Sequence, residues 1–154
     1  MKNIGFIGAS GMMGHGMAKN LQAKGFSLSV SVNRNRDAVA DLVAAGATVV
    51  DSPAGLGNCD AVLICVTGSP QVEAVIQGAN GLLSNAKRGL IIIDTSTSEP
   101  ESTAKLAALC AQAVVVYVDA PVGRSPGDAE VGRVIPMVGA TPEVFAQIQP
   151  ILAT

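Results

Sequence analysis

Three glycines near the start of the chain have the spacing of a phosphate-binding turn. They follow an apolar segment, residues 4–7, and are Gly8, Gly11 and Gly14. Glycine lets the chain turn tightly and bring backbone N–H groups against a pyrophosphate, while a helix starting at the turn points its partly positive N-terminus at the same charge. An apolar helical stripe over residues 17–21 follows. This strand, turn and helix predict a dinucleotide site, although a glycine-rich turn also serves as a plain strand-to-helix connection.

The second predicted strand ends in a basic segment. Apolar residues alternate with serines over residues 26–32, and Asn33, Arg34 and Arg36 follow. In a doubly wound sheet this strand end lies beside the adenosine ribose, where a carboxylate would bind the 2′-hydroxyl of NAD. The first carboxylate is Asp37, whereas Arg34 could bind a 2′-phosphate. NADP is therefore predicted over NAD, and two solvated arginines in a loop are the alternative.

Two longer apolar runs lead into residues with hydroxyl groups. Residues 61–66 and 90–94 fit strands in the middle of a parallel sheet. Thr67 follows the first run, and the hydroxyl cluster 95–98 follows the second. Sheets of this kind bind ligands at the carboxyl ends of their strands, so both segments are candidates for one site.

Strand and helix patterns alternate along the whole chain. The other predicted elements are a helix over 37–45 with Val39, Leu42 and Val43 inward, a helix over 99–112 with Ser98 and Glu101 as its capping box, strands over 47–50, 114–118 and 133–138, and a final helix opening at Thr141. This alternation, without an internal linker, predicts one α/β domain over residues 1–154 with a Rossmann-type doubly wound, mainly parallel sheet.

Composition excludes several classes of function. Of 154 residues, 49% are apolar and 14% charged, which excludes a disordered chain, and a net charge of -2 without a basic run offers no surface for nucleic acid or an anionic membrane. His15 is the only histidine, so we expect no histidine-based metal site and no Ser/His/Asp triad. Cys59, Cys65 and Cys110 lie in apolar segments, and we expect reduced thiols in a cytoplasmic protein. Neither a signal peptide nor a membrane-spanning segment is expected.

Four motifs, in order, carry a resemblance to a known family. They are the glycine-rich stretch 5–21, the Asn33-Arg34 pair, the stretch 94–97 with Pro100, and the stretch 119–139 that begins Asp-Ala-Pro-Val-Gly. Over its whole length the chain resembles the N-terminal domain of the β-hydroxyacid dehydrogenases, the group of 3-hydroxyisobutyrate dehydrogenase, tartronate semialdehyde reductase and, more distantly, 6-phosphogluconate dehydrogenase. The resemblance implies an NAD(P)-binding domain and, in the complete enzyme, hydride transfer between the nicotinamide and a small hydroxyacid or its semialdehyde.

The resemblance also implies the site residues. The expected cofactor contacts, from the pyrophosphate to the nicotinamide ribose, are Gly8, Ser10, Gly11, Met12, Met13, Asn33, Arg34, Val66, Thr67 and Thr97. The expected substrate contacts are Ser96, Asp119, Val122, Gly123, Arg124 and Ser125. The glycine turn is one residue longer than the family's Gly-x-Gly-x-x-Gly, so which backbone N–H groups contact the pyrophosphate stays open.

Arg124 marks a departure from the family. Relatives usually carry Ser-Gly-Gly after Asp-Ala-Pro-Val, whereas Gly123, Arg124 and Ser125 stand here. This triplet is similar to the loop with which 3-sulfolactaldehyde reductases bind the sulfonate of the substrate. A guanidinium presents a planar fork of donors that suits an oxyanion. Arg124 is therefore predicted to bind the anionic group of the substrate, and an exposed turn arginine is the alternative.

The general acid of the family is a lysine on the first helix after the cofactor domain. No lysine follows Lys105 in this sequence. We therefore expect a cofactor domain without the C-terminal helical domain and without a catalytic residue of its own. It would bind a small anionic hydroxyacid or semialdehyde and would need the missing domain or a second copy, in a homo-oligomer, to cover its apolar surface. The alternative is a non-catalytic dinucleotide-binding module or sensor.

Two other nucleotide-binding classes are excluded. A short-chain dehydrogenase requires Tyr-x-x-x-Lys, but Tyr117, the only tyrosine, has Pro121 four residues later. A P-loop requires Gly-Lys-Ser/Thr at the end of the glycine turn, and Gly14 is followed by His15.

Overall fold

The computed structural model describes residues 1–32 and 35–154. Its strands are β1 (Asn3–Ile7), β2 (Ser27–Ser31), β3 (Thr48–Val50), β4 (Ala61–Ile64), β5 (Ile91–Asp94), β6 (Val116–Asp119), β7 (Val122–Gly123) and β8 (Ile135–Pro136). Its α-helices are α1 (Met12–Ala23), α2 (Ala40–Ala44), α3 (Ser69–Gln77), α4 (Pro100–Gln112), α5 (Pro126–Glu130) and α6 (Pro142–Leu152). Among the helices of residues 1–32 and 35–154, none combines the length and the hydrophobicity that a membrane span requires.

Six strands form one parallel sheet, as the sequence predicts. Their order is β3-β2-β1-β4-β5-β6, and β7 and β8 form a separate antiparallel pair. The chain builds outward from β1 to β3 and then crosses back to place β4 on the other side of β1. Sheets of this topology bind ligands outside the carboxyl ends of the strands at this reversal point.

Both faces of the sheet are covered by helices. Alternate residues of β1 point to opposite faces, so Ile4 and Phe6 pack with α1, α2, α5 and α6, whereas Ile7 packs with α3 and α4. Burial on both sides explains why the central strands are continuous apolar runs.

All three cysteines are free thiols, and burial raises the pKa of Cys110 to about 11.

Two predicted elements differ in the structure. Val43 is 44% exposed rather than inward, because α2 has only five residues and its single fully buried side chain is Leu42. The strand predicted over 133–138 is reduced to β8. Its neighbour Arg133 donates its backbone N–H to the Asp128 carbonyl at 2.8 Å, and Pro136 has no N–H with which to continue a ladder.

The capping box predicted for α4 is also wrong. Glu99 is the N-cap, and no side chain of the described residues caps this helix. The Ser98 hydroxyl donates instead to Asp94 Oδ2 at 3.0 Å, a partner at the end of β5. The start predicted for α6 is confirmed, since Thr141 is its N-cap and accepts a hydrogen bond from the Val144 N–H at 3.4 Å.

One carboxylate joins two strands at the amino edge of the sheet. Asp60, directly before β4, accepts hydrogen bonds from the backbone N–H groups of Lys2 (2.8 Å) and Asn3 (3.1 Å) and from Lys87 Nζ (3.1 Å). These donors, the two backbone groups first, hold the pKa of Asp60 well below its usual range. Asp60 therefore ties the start of β1 to β4, at the edge opposite the ligand-binding one.

We expect Asp60→Asn to lower the free energy of unfolding by about 2 kcal/mol near neutral pH, because a neutral amide accepts these bonds less strongly than a carboxylate. The lowered pKa means that this stabilisation is present above about pH 4 and is lost as the pH falls below it. Urea unfolding of variant and parent should therefore show a difference that shrinks from about pH 7 to about pH 3. The exposed Asp37 provides the control Asp37→Asn; an equal loss in both variants would contradict the role of Asp60.

Candidate functional site

The turn between β1 and α1 needs glycine at two of the three predicted positions. Gly8 has φ +95°, and a Cβ on it would overlap the carbonyl oxygen of Cys65. A Cβ on Gly14 would overlap the carbonyl oxygen of Gly8 and lie 3.1 Å from the Phe6 ring. Gly11 is less restricted, since the nearest atom to its added Cβ is 3.3 Å away. The first turn of α1 can therefore lie directly on the end of β1.

The N-terminus of α1 is open to an anion. Gly11 is the N-cap in an extended conformation, and within the described part of the chain no side chain caps the helix. No acidic residue lies in its first turn. Ser10 and Met12 are exposed, Met12 by 80%, while Met13 packs partly against the core. The free N–H groups and the helix dipole favour a negatively charged group at this position.

A cleft of about 440 Å³ opens at the carboxyl ends of β1, β2, β3 and β4. Its volume lies in the range of small-molecule sites. The residues lining it come from the ends of four strands and from α3 with the segment after it, and include Gly8, Ser10, Ser31, Asp51, Val66, Gln71, Val75 and Asn80. The cleft therefore brings together three of the predicted cofactor residues, Gly8, Ser10 and Val66.

Sequence reasoning missed Asp51, which places a carboxylate in this cleft. It directly follows β3, and Arg36 is its ion-pair partner. The missed signal was the rule already applied to the other strands, because a residue after a parallel strand lies at the ligand edge. Asn33 and Arg34, the residues predicted to contact the adenosine ribose, lie outside the described residues.

The loops after β4 and β5 are bonded to each other. The Val66 N–H donates to Ser96 Oγ at 3.0 Å. Thr95 donates both its N–H (2.8 Å) and its hydroxyl (2.7 Å) to the Ile64 carbonyl. Ser96 is buried, whereas Thr67 and Thr97 are exposed at this edge. The structure thus places Val66, Thr67, Ser96 and Thr97 in neighbouring loops, as predicted from their positions after parallel strands.

A buried carboxylate, Asp94, organises the loop after β5. Its Oδ1 accepts the Ser96 N–H at 2.9 Å, and its Oδ2 accepts the hydroxyls of Ser98 (3.0 Å) and Tyr117 (2.8 Å). Burial and then the Asp94 charge raise the pKa of Tyr117, and the same two causes raise that of Asp119. Sequence reasoning gave neither Asp94 nor Tyr117 a role in the site, because the Tyr117 contact crosses from one strand to the next.

The predicted substrate loop is held by an antiparallel pair of segments. Val122 and Gly123 pair with β8, and the Gly139 N–H donates to the Asp119 carbonyl at 2.8 Å. Arg124 is exposed and has φ +91°, a conformation that is uncommon for a residue with a side chain. The Ser125 hydroxyl is already engaged, because it donates to Asp128 Oδ2 at 2.6 Å in the capping box of α5. Of this loop, Arg124 is the residue that presents an exposed cationic side chain.

Helix α5 packs directly on α1, which joins the glycine turn to the substrate loop. A Cβ on Gly16 would lie 2.6 Å from the carbonyl carbon of Ala129, so the two backbones are in close contact. Asn20 Nδ2 donates to the Ala129 carbonyl at 2.8 Å. A groove of about 380 Å³ is lined by Gly11 and Met12 on one side and by the start of α5 on the other. The glycine turn and the start of α5, which directly follows the loop 122–125, therefore line one groove.

His15 links three helices beside this groove. Its Nε2 lies 3.0 Å from Asp41 Oδ1 of α2, and its Nδ1 lies 3.2 Å from Glu130 Oε1 of α5. The hydrogen bond to Asp41, and that to Glu130, raise the pKa of His15 against the opposing effect of burial. Both carboxylate pKa values are lowered in return. Two carboxylate acceptors favour the doubly protonated imidazolium, so His15 has a structural role that joins the three helices. Among the described residues, no three His, Cys, Asp or Glu side chains come together as a metal site.

Comparison with known proteins gives a consistent family. A family model described as the NAD binding domain of 6-phosphogluconate dehydrogenase matches residues 3–154. The chain is 38% identical over 151 residues to 2-(hydroxymethyl)glutarate dehydrogenase of Eubacterium barkeri. This alignment covers 97% of this chain and 50% of that protein. It is 37% identical over 150 residues to mitochondrial 3-hydroxyisobutyrate dehydrogenase of Bos taurus, and that alignment covers 97% of this chain and 44% of that protein. The chain thus spans about half the length of the curated relatives it matches.

Solved structures have the same fold. The structure of Psf3 in complex with NADP⁺ and 2-OPP matches with a TM-score of 0.89 at 31% identity, over 97% of this chain and 53% of that one. The structure of Mycobacterium tuberculosis 3-hydroxyisobutyrate dehydrogenase with L-serine matches with a TM-score of 0.88 at 25% identity, over 99% and 51%. These values extend the sequence similarity to the arrangement of the whole sheet.

The glycine turn can be tested by adding one methyl group at two positions. We expect Gly14→Ala to cost about 3 kcal/mol or more of folding free energy, because its Cβ meets backbone that cannot move aside. Gly11→Ala should cost about 1 kcal/mol or less, since its conformation and surroundings admit a Cβ. Urea unfolding of both variants measures the difference, and equal losses would contradict the packing described for Gly14.

Proposed function

This chain belongs to the family of the NAD binding domain of 6-phosphogluconate dehydrogenase, and we propose that it binds NADP(H) across the carboxyl edge of its sheet. The observation that carries the proposal is the turn at Gly8 and Gly14, which seats the uncapped N-terminus of α1 over the reversal point of the sheet. A Cβ at either glycine would meet a backbone carbonyl oxygen and hold the helix away from the strand end. The open helix N-terminus fits a pyrophosphate chemically. The family predicted from the sequence is confirmed.

The proposed path of the dinucleotide follows the strand ends. The pyrophosphate contacts Gly8, Ser10, Gly11, Met12 and Met13; the adenosine half contacts Asn33 and Arg34; the middle contacts Val66 and Thr67; and the nicotinamide ribose contacts Thr97. The shared cleft of Gly8, Ser10 and Val66 supports this path, as does the bond between the loops of Val66 and Ser96. The pairing of Arg36 with Asp51 supports NADP over NAD, since it offsets the carboxylate that lines the cleft among the described residues.

The proposed reaction class is hydride transfer on a small hydroxyacid or its semialdehyde, of the 3-hydroxyisobutyrate, tartronate semialdehyde or sulfolactaldehyde type. When bound, the nicotinamide accepts or supplies the hydride. The names of the relatives, 2-(hydroxymethyl)glutarate dehydrogenase and 3-hydroxyisobutyrate dehydrogenase, support this class. The residues proposed to hold the substrate are Ser96, Asp119, Val122, Gly123, Arg124 and Ser125.

We assign the anionic group of the substrate to Arg124. The guanidinium is exposed, and the residue keeps an unfavourable positive φ although a glycine would adopt it without strain. Strained backbone conformations of this kind cluster at ligand-binding sites. Ser125 contributes chiefly by capping α5, which fixes the direction in which the loop enters the helix.

Completion of the reaction needs residues beyond those of this sequence. In the family the general acid is a lysine after the cofactor domain, and the chain spans about half of its curated relatives. Four large apolar side chains in the last quarter of the described chain are exposed, namely Val131, Ile135, Met137 and Phe145. We propose that a helical domain or a second copy of the chain covers these side chains. The second candidate function is a dinucleotide-binding module or sensor without catalysis, and a chain that is a stable monomer in solution would favour it. Three free thiols support the expected cytoplasmic location.

Cofactor preference tests the first part of the proposal. By isothermal titration calorimetry we expect NADPH to bind at least about tenfold more tightly than NADH, because a charge-assisted contact to the 2′-phosphate is worth roughly 1.5–3 kcal/mol. Arg34→Ala should remove this preference and leave NADH binding unchanged. Arg88→Ala is the matched control, since Arg88 is exposed and precedes β5 at the opposite, amino edge of the sheet. Failure of both cofactors to bind would contradict the site, and an equal loss for both in Arg34→Ala would contradict the role of Arg34.

Anion binding by Arg124 tests the second part. In Arg124→Gly the strain of the positive φ is removed together with the guanidinium, so urea unfolding should show undiminished stability. An NMR titration of the NADP⁺-loaded chain with 3-hydroxyisobutyrate, and with 3-sulfolactate, should show affinity reduced about 10- to 100-fold. The exposed Arg133 provides the control Arg133→Gly. Parental affinity in Arg124→Gly would leave Arg124 as a plain turn residue.

A further inference from the structure

The loop between β5 and α4 is fixed on both sides of one exposed residue. Before Thr97, the Ser96 N–H is bonded to Asp94 and its Oγ accepts the Val66 N–H. After it, the Ser98 hydroxyl is bonded to Asp94, and the Glu99 N–H donates to Ser69 Oγ at 2.8 Å. Thr97 itself is exposed. The bonds therefore hold the backbone of Thr97 in place and leave its side chain presented at the carboxyl edge of the sheet.

Asp94 is the common acceptor of this arrangement, and it is fully buried, with 0% of its surface exposed. A buried carboxylate is costly unless donors surround it. Here the two oxygens accept three hydrogen bonds, from Ser96, Ser98 and Tyr117. An apolar residue could end a buried strand without this cost. What the carboxylate provides in place of an apolar residue is the fixed geometry of residues 96–98.

The position of Asp94 in the sheet restricts its influence to one end of an extended ligand. Asp94 ends β5, while the adenosine half of the proposed cofactor lies at the end of β2. In the strand order β2-β1-β4-β5 these ends are three strand spacings apart, which is about 14 Å. A change at Asp94 should therefore reach the nicotinamide end and leave the adenosine and pyrophosphate contacts in place.

We propose that Asp94 is a positioning residue for the nicotinamide half of the bound dinucleotide, which it orients by fixing Ser96 and Thr97, with Tyr117 and Ser98 holding its second oxygen. This inference rests on the proposed binding of NADP(H). It assigns a distinct task to Tyr117, the only tyrosine, whose hydroxyl locks the carboxylate from the neighbouring strand β6. Asp94, Ser98 and Tyr117 need not touch the cofactor, because Thr97 makes the contact.

The test compares two ligands that differ in the nicotinamide end. NADPH and 2′-phospho-ADP-ribose share the adenosine, 2′-phosphate and pyrophosphate, but the second lacks the nicotinamide. For Asp94→Ala we expect at least about tenfold weaker binding of NADPH and no more than about a twofold change for 2′-phospho-ADP-ribose, by titration calorimetry. Tyr117→Phe should act in the same direction to a smaller extent. Asp94→Asn should recover part of the affinity, because an amide oxygen still accepts the Ser96 N–H and both hydroxyls can turn to accept from its NH₂ group.

A matched pair of serine variants separates positioning from stability. Ser98→Ala removes one hydrogen bond to Asp94, and Ser102→Ala removes a bond of 2.6 Å to Glu73 from a buried serine on α4, outside the loop. Both should lower the urea midpoint, but only Ser98→Ala should lower the NADPH affinity relative to that of 2′-phospho-ADP-ribose. The fluorescence of bound NADPH gives a second readout, since a loosely held nicotinamide should shift toward the emission of free NADPH.

The possible outcomes distinguish this inference from the proposed function. Equal weakening of both ligands in Asp94→Ala, Tyr117→Phe and Ser98→Ala would overturn the positioning role and leave NADP(H) binding intact. Unchanged affinities in all three variants would do the same. If Asp94→Ala does not fold, the Tyr117 and Ser98 variants decide. Failure of the parent chain to bind either ligand would overturn the proposed function and, with it, the inference.

Discussion

The close approach of α1 to the carboxyl end of β1 is the constraint on which the site depends. It requires that Gly8 and Gly14 have no side chain, because each position faces a carbonyl oxygen where a Cβ would lie. The positive φ of Gly8 turns the chain from the strand into the helix at this point. With α1 seated there, its open N-terminus faces the reversal point between β1 and β4, which is where a sheet of this order leaves room for a ligand.

A carboxylate accepts several hydrogen bonds at each edge of the sheet, but the two carboxylates have different roles. At the amino edge, Asp60 accepts two backbone N–H groups and one lysine and remains partly exposed, so it joins strands without forming a site. At the carboxyl edge, Asp94 is fully buried and organises a loop of hydroxyl residues. The polar groups of that loop mostly satisfy one another, while Thr67 and Thr97 stay exposed. The strand-joining carboxylate and the proposed ligand contacts therefore lie at opposite edges of the same sheet.

Local patterns in the sequence were sufficient for the family, the sheet and most elements. The apolar runs gave the central strands, and the glycine turn and Thr141 gave two helix starts, because these signals lie within a few residues of the structures they produce. Other errors arose where a distant partner competes. Ser98 bonds to Asp94 rather than capping α4, and Tyr117 was not assigned to the site, since its role depends on which strand becomes its neighbour. Asp51 was within reach of the sequence, because it directly follows β3.

Gly16 has a consequence that extends beyond the ligand edge. It lies on α1 where the backbone of α5 comes closest, and an added Cβ would wedge against the peptide bond between Ala129 and Glu130 at 2.6 Å. Every missense change in a glycine codon introduces at least a Cβ. A larger residue at position 16 therefore requires the backbone of α5 to shift, although no ligand is assigned to this position. In a library of random variants we expect substitutions here to lose stability, and the cause would be contact between two helix backbones.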